Sequence, residues 1–132
     1  MTTPASALVV AHRNADRSAI LLVKTRLGWG IPVGAPTESL DALRARIQHT
    51  LLMPGAVLSA LSAPRREFSC AGTPVGFELA ASSAAGLQAY PESEDWHAVR
   101  WASFEEAFHI IQADQDEVLK WCERTVNKVL EA

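Results

Sequence analysis

The chain has 132 residues, of which 48% are hydrophobic and 20% charged, and its formal net charge at pH 7 is −3. This composition excludes disordered and fibrous proteins and predicts a single globular domain over residues 1–132. The weak negative charge and the lack of a basic stripe argue against nucleic acid as a partner. The apolar run at residues 6–12 is too short for a signal sequence or a membrane span, which predicts a cytoplasmic protein without a membrane partner.

The first part of the chain predicts a β-hairpin followed by an irregular loop. Two β-rich apolar runs, at residues 7–14 and 18–26, are separated by a turn-forming segment at residues 14–17 and are predicted to pair as antiparallel strands. Glycine and proline then recur from Gly28 to Pro36 too irregularly for either a strand or a helix.

The following segment changes to helical periodicity and predicts one amphipathic helix from about Glu38 to about Leu52. Its apolar positions are Leu40, Leu43, Ile47 and Leu51. Pro54 disfavours helical geometry at Met53, and Gly55 suits a chain reversal just after the helix ends.

The second half of the chain predicts further strands. Three of them lie at residues 56–62, 66–71 and 75–82, and residues 72–74 form the turn between the last two. Residues 82–94 are rich in alanine, serine and glycine and end in acids, which predicts a surface loop. A short strand is expected at residues 96–101.

Two helices are predicted to close the chain. Ser103 and Glu106 have the spacing of a capping box, and Asp114 and Glu117 begin the last helix. The packing residues expected on this helix are Val118, Trp121, Val126, Val129 and Leu130. Because strands and helices are interspersed without a regular βαβ alternation, the order predicts an α+β fold with helices packed on a mixed sheet.

Cys70 and Cys122 are the only two cysteines. They form no CxxC pair and no Cys/His cluster at metal-binding spacing. The sequence leaves a disulfide open, but two thiols in a chain without a signal sequence favour reduced core residues.

This layout resembles the Nudix (MutT-like) hydrolases. Their motif is G-x5-E-x7-R-E-U-x-E-E-x-G-U, where U is bulky and apolar, and it usually follows a W-x-x-P-G-G turn. Here Trp29, Pro32 and Gly34 match that turn, with Val33 in place of its first glycine. A motif started at Gly34 reaches its second glycine at Gly55, and the helix length and apolar positions agree without a gap.

The flanking segments extend the resemblance to nearly the whole chain. The opening hairpin and residues 99–108 are similar to the family's first strands and its late W-x-x-x-E-E-A junction. The resemblance implies a Nudix-like α/β/α sandwich with a mixed β-sheet.

The chemistry of the motif does not carry over. In the family, glutamates on one helix face hold a divalent metal against a pyrophosphate, and Mg²⁺ requires such oxygen ligands. The motif's four glutamates fall on Leu40, His49, Leu52 and Met53, and its arginine falls on Gln48. This degenerate Nudix box predicts that there is no Mg²⁺ cofactor and that metal-dependent diphosphate hydrolysis is lost.

The substituted positions leave alternatives open. His49 is a candidate general base or ligand donor, or a histidine that only complements the helix dipole. Leu52 and Met53 form either an apolar cleft floor or an extension of the core. Glu38 and Asp41 lie in the first turn, where the helix dipole explains them.

Further candidates lie elsewhere in the chain. The acidic loop carries the candidate catalytic acids Glu92, Glu94 and Asp95, which are otherwise solvated. Aromatic residues that could border a cleft or pack in the core are Trp29, Trp96 and Trp101. Cations of the first hairpin that could meet a phosphate are Arg13, Lys24 and Arg26.

Three functional hypotheses follow. The favoured one is a Nudix-fold pseudoenzyme that binds a nucleotide-like small molecule or a protein partner. Its predicted cleft residues are Trp29, Gly34, Gln48, His49, Leu52 and Met53. The second is a divergent hydrolase of a nucleoside diphosphate linked to another moiety, and the third is a metal-free acid–base enzyme centred on His49. The oligomeric state stays open, with a homodimer compatible with any of them.

Overall fold

The strands of the protein form one mixed sheet. The computed structural model describes residues 5–14, 17–35, 37–52, 55–60, 65–70, 72–83, 87 and 96–131. Within these residues the strands are β1 (Ala5–Asn14), β2 (Arg17–Thr25), β3 (Gly28–Gly30), β4 (Leu58–Ala60), β5 (Arg66–Cys70), β6 (Thr73–Ser82) and β7 (Ala98–Ser103). The helices are α1 (Leu40–Thr50), α2 (Phe104–Ile110) and α3 (Asp116–Glu131), with a 3₁₀ turn at Ala113–Gln115.

The sheet is ordered β3-β2-β1-β6-β4, while β5 also pairs with β6 and β7 with β2. The central pair, β1 and β6, is parallel from Ala5 opposite Val75 to Ala11 opposite Ala81. The other strand pairs are antiparallel, including the predicted opening hairpin of β1 and β2. The mixed sheet is therefore confirmed.

Helices cover both faces of the sheet. Because β1 and β2 are apolar at successive positions, each strand has apolar side chains on both faces, and both faces must be buried. One face packs Ala7, Val9 and Ala11 of β1 against buried residues of α2 and α3. The opposite face packs Leu8 and Val10 against α1. This arrangement confirms the α/β/α sandwich. Among the described residues, no helix is long and apolar enough to cross a membrane.

Helix α1 is shorter than predicted. It begins after Ser39, whose side-chain oxygen accepts a hydrogen bond from the Ala42 N–H, and it ends at Thr50. Leu43 and Ile47 are its buried residues, and Leu51, just after the helix, is buried beside them. Thr50 is exposed, although the motif alignment puts a bulky apolar residue there. The apolar agreement with the motif is therefore wrong at this position.

Other boundaries also differ from the prediction. The loop after the hairpin contains the short strand β3, which pairs with the end of β2. Thr73 and Pro74 belong to β6 rather than to a turn, because Thr73 pairs with Cys70 and Gly72 takes the reversal with φ 81°. The last helix is preceded by the 3₁₀ turn that contains Asp114. Val118, Trp121 and Val126 are buried as predicted, whereas the side chains of Val129 and Leu130 lie outside the described residues.

The predicted capping box at the start of α2 is confirmed and gives a first testable prediction. The Ser103 hydroxyl accepts from the Glu106 N–H at 3.1 Å, and the Glu106 carboxylate accepts from the Ser103 N–H at 3.2 Å. We expect Ser103→Ala to lower the free energy of unfolding by about 1 kcal/mol in urea titrations. Ser59→Ala, at an exposed position in β4, is the control and should change little.

The same box predicts a pH dependence. Hydrogen bonds from Ser103, followed by the Arg100 guanidinium, lower the pKa of Glu106. A carboxyl whose pKa is lowered on folding stabilises the protein above its unfolded pKa of about 4.3, and this contribution is lost as pH falls through the folded pKa. Glu106→Gln should therefore flatten the acid limb of stability. An unchanged limb would contradict this prediction.

Candidate functional site

A cleft of about 490 Å³ opens where β1 and β2 separate. The two strands pair only from Ala11 and Ile20 to the turn. Beside the first half of β1, residues 31–34 take the place of β2: the Leu8 N–H donates to Pro32 O at 3.2 Å, and the Gly34 N–H donates to Ser6 O at 2.7 Å. The chain that crosses from β3 to α1 therefore forms part of the cleft and is held in the sheet.

The walls of the cleft are mostly apolar, with a few polar groups. The segment from β3 to α1 contributes Val33 and Gly34, and the start of β6 contributes Val75. Its charged and amide side chains come from three places: Arg26 after β2, Arg46 on α1, and Gln112, Asp114 and Gln115 between α2 and α3. An apolar pocket with a few convergent polar groups is the usual form of a small-molecule site.

Arg46 of α1 forms one wall of the cleft with Trp96. Its guanidinium lies over the Trp96 ring, 4.1 Å from the centroid. Arg46 also pairs with the Glu38 carboxylate at 2.9 Å, and the same carboxylate oxygen accepts the Ala35 N–H at 3.0 Å. Glu38 thus binds the loop to the helix. Glu38 precedes α1 instead of lying in its first turn as predicted, whereas Asp41 does lie in that turn.

Two glutamines between α2 and α3 form the opposite part of the cleft. Gln115 is 1% exposed, and its Oε1 accepts the Ile31 N–H at 2.8 Å. Gly30 permits this contact, since a Cβ there would lie 2.8 Å from Gln115 Oε1 and 3.2 Å from Gln112 Nε2. The Oε1 of Gln112 is buried and accepts no hydrogen bond from the described residues. The segment between α2 and α3 therefore carries a fixed amide in Gln115 and, in Gln112, a buried acceptor without a donor among the described residues.

Both thiols are free and buried, which confirms the reduced core cysteines. Cys70 lies in the cleft wall, and burial, followed by the nearby Asp114 charge, raises the pKa of its thiol. Burial also raises the pKa of Cys122, a residue of α3 that faces the core. Neither thiol has the lowered pKa of a nucleophilic cysteine.

The predicted cleft residues divide into two groups. Gly34 lines the cleft, as do the aromatic candidate Trp96 and the cation Arg26. Trp29 does not line it: its side chain packs against the core between the sheet and helices α2 and α3, and its carbonyl accepts the Gln112 N–H at 2.9 Å. Trp101 packs against the core between the sheet and α1, and Lys24 is exposed on β2.

The end of α1 lies apart from the cleft. Gln48 Nε2 donates to Ala56 O at 2.8 Å, and His49 is exposed in the last helical turn. Leu52 is 0% exposed and bridges to Leu87. None of these three residues lines the cleft. Other predicted candidates fall outside the described part of the chain: Met53, Glu92, Glu94, Asp95 and the side chain of Arg13.

The donor groups at this helix end do not fit Mg²⁺. Mg²⁺ requires oxygen ligands in octahedral geometry. The side chains here are the Gln48 amide, which is bonded to a carbonyl, the His49 imidazole and the buried Leu52, and they do not supply such a set. No group of three histidine, cysteine or acidic side chains comes together elsewhere in the ranges that the structure describes.

Apart from Arg26, the sequence did not indicate the charged and amide residues that line the cleft. Glu38 and Arg46 are eight positions apart in the sequence, which does not predict their pairing. Gln112 and Gln115 lie between α2 and α3, outside any motif of the sequence. The available signal was the polar pair Gln112 and Gln115, which interrupts apolar segments between two helices.

Comparisons with known proteins show the fold. No family model and no curated protein matches the sequence. Among solved structures, the chain is similar to a Caenorhabditis elegans Ap4A hydrolase, with 20% identity and a TM-score of 0.70 over 92% of this chain and 97% of that one. It is also similar to the Nudix domain of NrtR from Shewanella oneidensis in complex with ADP-ribose, with 14% identity and a TM-score of 0.64 over 96% and 89%. The chain therefore has the Nudix fold.

Proposed function

We propose that this protein is a cytoplasmic Nudix-fold binding module, a pseudoenzyme with a degenerate Nudix box. It binds a nucleotide-like small molecule in the cleft and does not use Mg²⁺ to hydrolyse diphosphates. The occupied cleft is the state that a regulatory partner would recognise.

The observation that carries the proposal is the packing of Leu52. This residue aligns with a metal-binding glutamate of the family motif, but its side chain is 0% exposed in the core cluster under α1. A carboxylate at this place would be buried among apolar side chains, which costs several kcal/mol unless the charge is paired. Gln48, at the motif's arginine, is likewise used structurally, in its bond to Ala56.

The cleft supports the binding half of the proposal. It is preformed, because the loop at residues 31–34 is hydrogen-bonded to β1 and Glu38 fixes the beginning of α1. A preformed site loses little conformational entropy on binding. Two proteins of the same fold handle nucleotide-like molecules, one named as an Ap4A hydrolase and one complexed with ADP-ribose.

The test combines metal binding, turnover and ligand binding. Mg²⁺ and Mn²⁺ are titrated by calorimetry, and ADP-ribose, Ap4A and other nucleoside diphosphate derivatives are assayed for phosphate release. We expect no metal binding and no turnover, but an increase in melting temperature with at least one ligand. Metal binding together with turnover would overturn the proposal and favour the divergent hydrolase. Absence of any ligand effect in a broad metabolite screen would overturn the binding role.

His49 provides a separate test of the acid–base alternative. His49 and His109 are both exposed and stand in the last turn of their helices, so His109→Ala is a matched control for the loss of a dipole contact. We expect the two variants to bind ligand as the parent does. Turnover that His49→Ala abolishes and His109→Ala preserves would contradict the pseudoenzyme proposal.

A further inference from the structure

The segment between α2 and α3 pairs with β3 as a short parallel strand and then turns away from it. Ile111 forms a parallel bridge with Trp29, and the Gln112 N–H donates to Trp29 O at 2.9 Å. In a continued parallel ladder the next bond would run from the Ile31 N–H to Gln112 O. Gln112 O instead accepts the Gln115 N–H at 3.0 Å in the 3₁₀ turn. The Ile31 N–H therefore needs another acceptor.

The side chain of Gln115 supplies this acceptor. Its Oε1 accepts the Ile31 N–H at 2.8 Å, and the residue is 1% exposed. A buried backbone N–H without a partner is costly, so this bond fixes both groups in place. The side chain of Gln115 thus continues the pairing that the backbone ends. Because the amide is buried, it contacts the protein and not a ligand.

Gly30 leaves the space that this side chain occupies. A Cβ at Gly30 would lie 2.8 Å from Gln115 Oε1 and 3.3 Å from Gln115 Cδ. Gly30 has no positive φ, the conformation that favours glycine at other positions of the chain. The close approach of the amide, rather than the backbone conformation, therefore explains a glycine at this position.

The bond between Gln115 and Ile31 joins two walls of the cleft. Residues 30–34 contribute to one wall and residues 112–115 to the other. Cys70 of β5 lines the cleft as well, and burial, followed by the charge of Asp114 in the second wall, raises the pKa of its thiol. Cys70 thus lies near enough to the 3₁₀ turn to report a displacement of that turn.

We infer that Gln115 is a positioning residue of the cleft: its amide oxygen, lying against Gly30, holds the Ile31 N–H and fixes the separation of the two walls. This inference rests on the proposed binding function and names the residue that keeps the site preformed. Pro32 and Gly34 are bonded to β1 independently. Removal of the Gln115 oxygen therefore loosens the junction between the walls rather than the whole sheet.

The first test needs no ligand. Gln115→Met keeps the length of the side chain but removes the acceptor. We expect hydrogen exchange at the Ile31 amide, followed by NMR, to accelerate about tenfold more than at the amides of β1 in the ladder with β6. A loss of global stability alone would accelerate all of these amides equally. Modification of Cys70 by N-ethylmaleimide should also accelerate about tenfold, while Cys122, at 0% exposure, stays unreactive.

Gln48→Met is the matched control for this substitution. Gln48 also forms one side-chain hydrogen bond to the backbone, from its Nε2 to Ala56 O at 2.8 Å, but it does not line the cleft. Gln48→Met should leave the relative exchange at Ile31 and the reactivity of Cys70 as in the parent.

Gly30→Ala displaces the same amide from the opposite side. It should reproduce the effects of Gln115→Met on exchange and on thiol modification, and it decides the inference if Gln115→Met does not fold. In a Gln115→Ala background, where the space for a Cβ is open, Gly30→Ala should add no further acceleration. Additive effects of the two changes would show that Gly30 acts independently of Gln115 and would overturn the inference.

The second test measures binding of ADP-ribose and Ap4A by calorimetry. A ligand that binds the parent should bind Gln115→Met about tenfold more weakly and Gln48→Met with parental affinity. Equal affinity for the parent and Gln115→Met would overturn the inference and leave the proposed function standing. Equal acceleration of all core amides, or unchanged reactivity of Cys70, would also overturn it. If neither ligand binds the parent, exchange and thiol modification decide the role of Gln115, and the wider metabolite screen decides the proposed function.

Discussion

Replacing Leu52 by glutamate, which restores a motif carboxylate, is expected to destabilise the protein and to restore no metal site. The side chain is 0% exposed and packs with Leu43, Ile47 and other residues of the cluster under α1. Leu52→Ala alone should lower the free energy of unfolding by about 2–5 kcal/mol, and Leu52→Glu by at least as much. Melting temperature and urea titration measure the effect, and calorimetry with Mg²⁺ measures metal binding.

The control for Leu52 is Leu27→Ala. Leu27 is 73% exposed in the turn between β2 and β3, so the same truncation should change stability by less than about 0.5 kcal/mol. If Leu52→Glu folded with parental stability and bound Mg²⁺, the Leu52 position would be a latent metal ligand, and the argument for lost hydrolysis would be wrong.

The second large effect is expected at Trp96, which belongs to both the core and the cleft. It is 3% exposed in the cluster under α1, and Arg46 stacks on its ring. Trp96→Ala should cost about 3–5 kcal/mol of stability. It should also abolish ligand binding, because Arg46 loses the surface that holds its guanidinium flat.

Trp96→Phe separates these two effects. Phenylalanine keeps an apolar ring under Arg46, so most of the stability and part of the affinity should return. Unfolding is followed by chemical denaturation and binding by calorimetry on each variant at a temperature where it is folded. Normal affinity in a destabilised but folded Trp96→Ala protein would show that the stacked pair has no part in recognition.

The sequence predicted the elements whose causes are local. The opening hairpin follows from two β-rich runs around a turn, and the capping box from side chains three positions apart. The strand β3 was missed because its three residues contain two glycines, and its pairing with β2 supplies what local propensity does not.

The candidate site depends on long-range contacts that a single sequence does not display. Glu38 was assigned to the helix dipole because only its position was visible, whereas its partner Arg46 lies two turns along the helix. Gln115 reaches across 84 positions to the Ile31 N–H. The sequence did not decide whether Leu52 forms the floor of a cleft or extends the core. Its complete burial supports the core interpretation.

The replacement of β2 by residues 31–34 beside β1 has a consequence for how the cleft responds to unfolding. Residues 31–34 are joined to β1 through Ser6 and Leu8, and the Ile31 N–H joins them to Gln115 before α3, so we expect the cleft not to open as an independent unit. Amides that close it should exchange with solvent hydrogen only through large-scale opening of the sheet. A bound ligand would then slow hydrogen exchange at the slowest amides of β1 as much as at the amides that it contacts. Ligand binding would therefore be coupled to the stability of the whole domain.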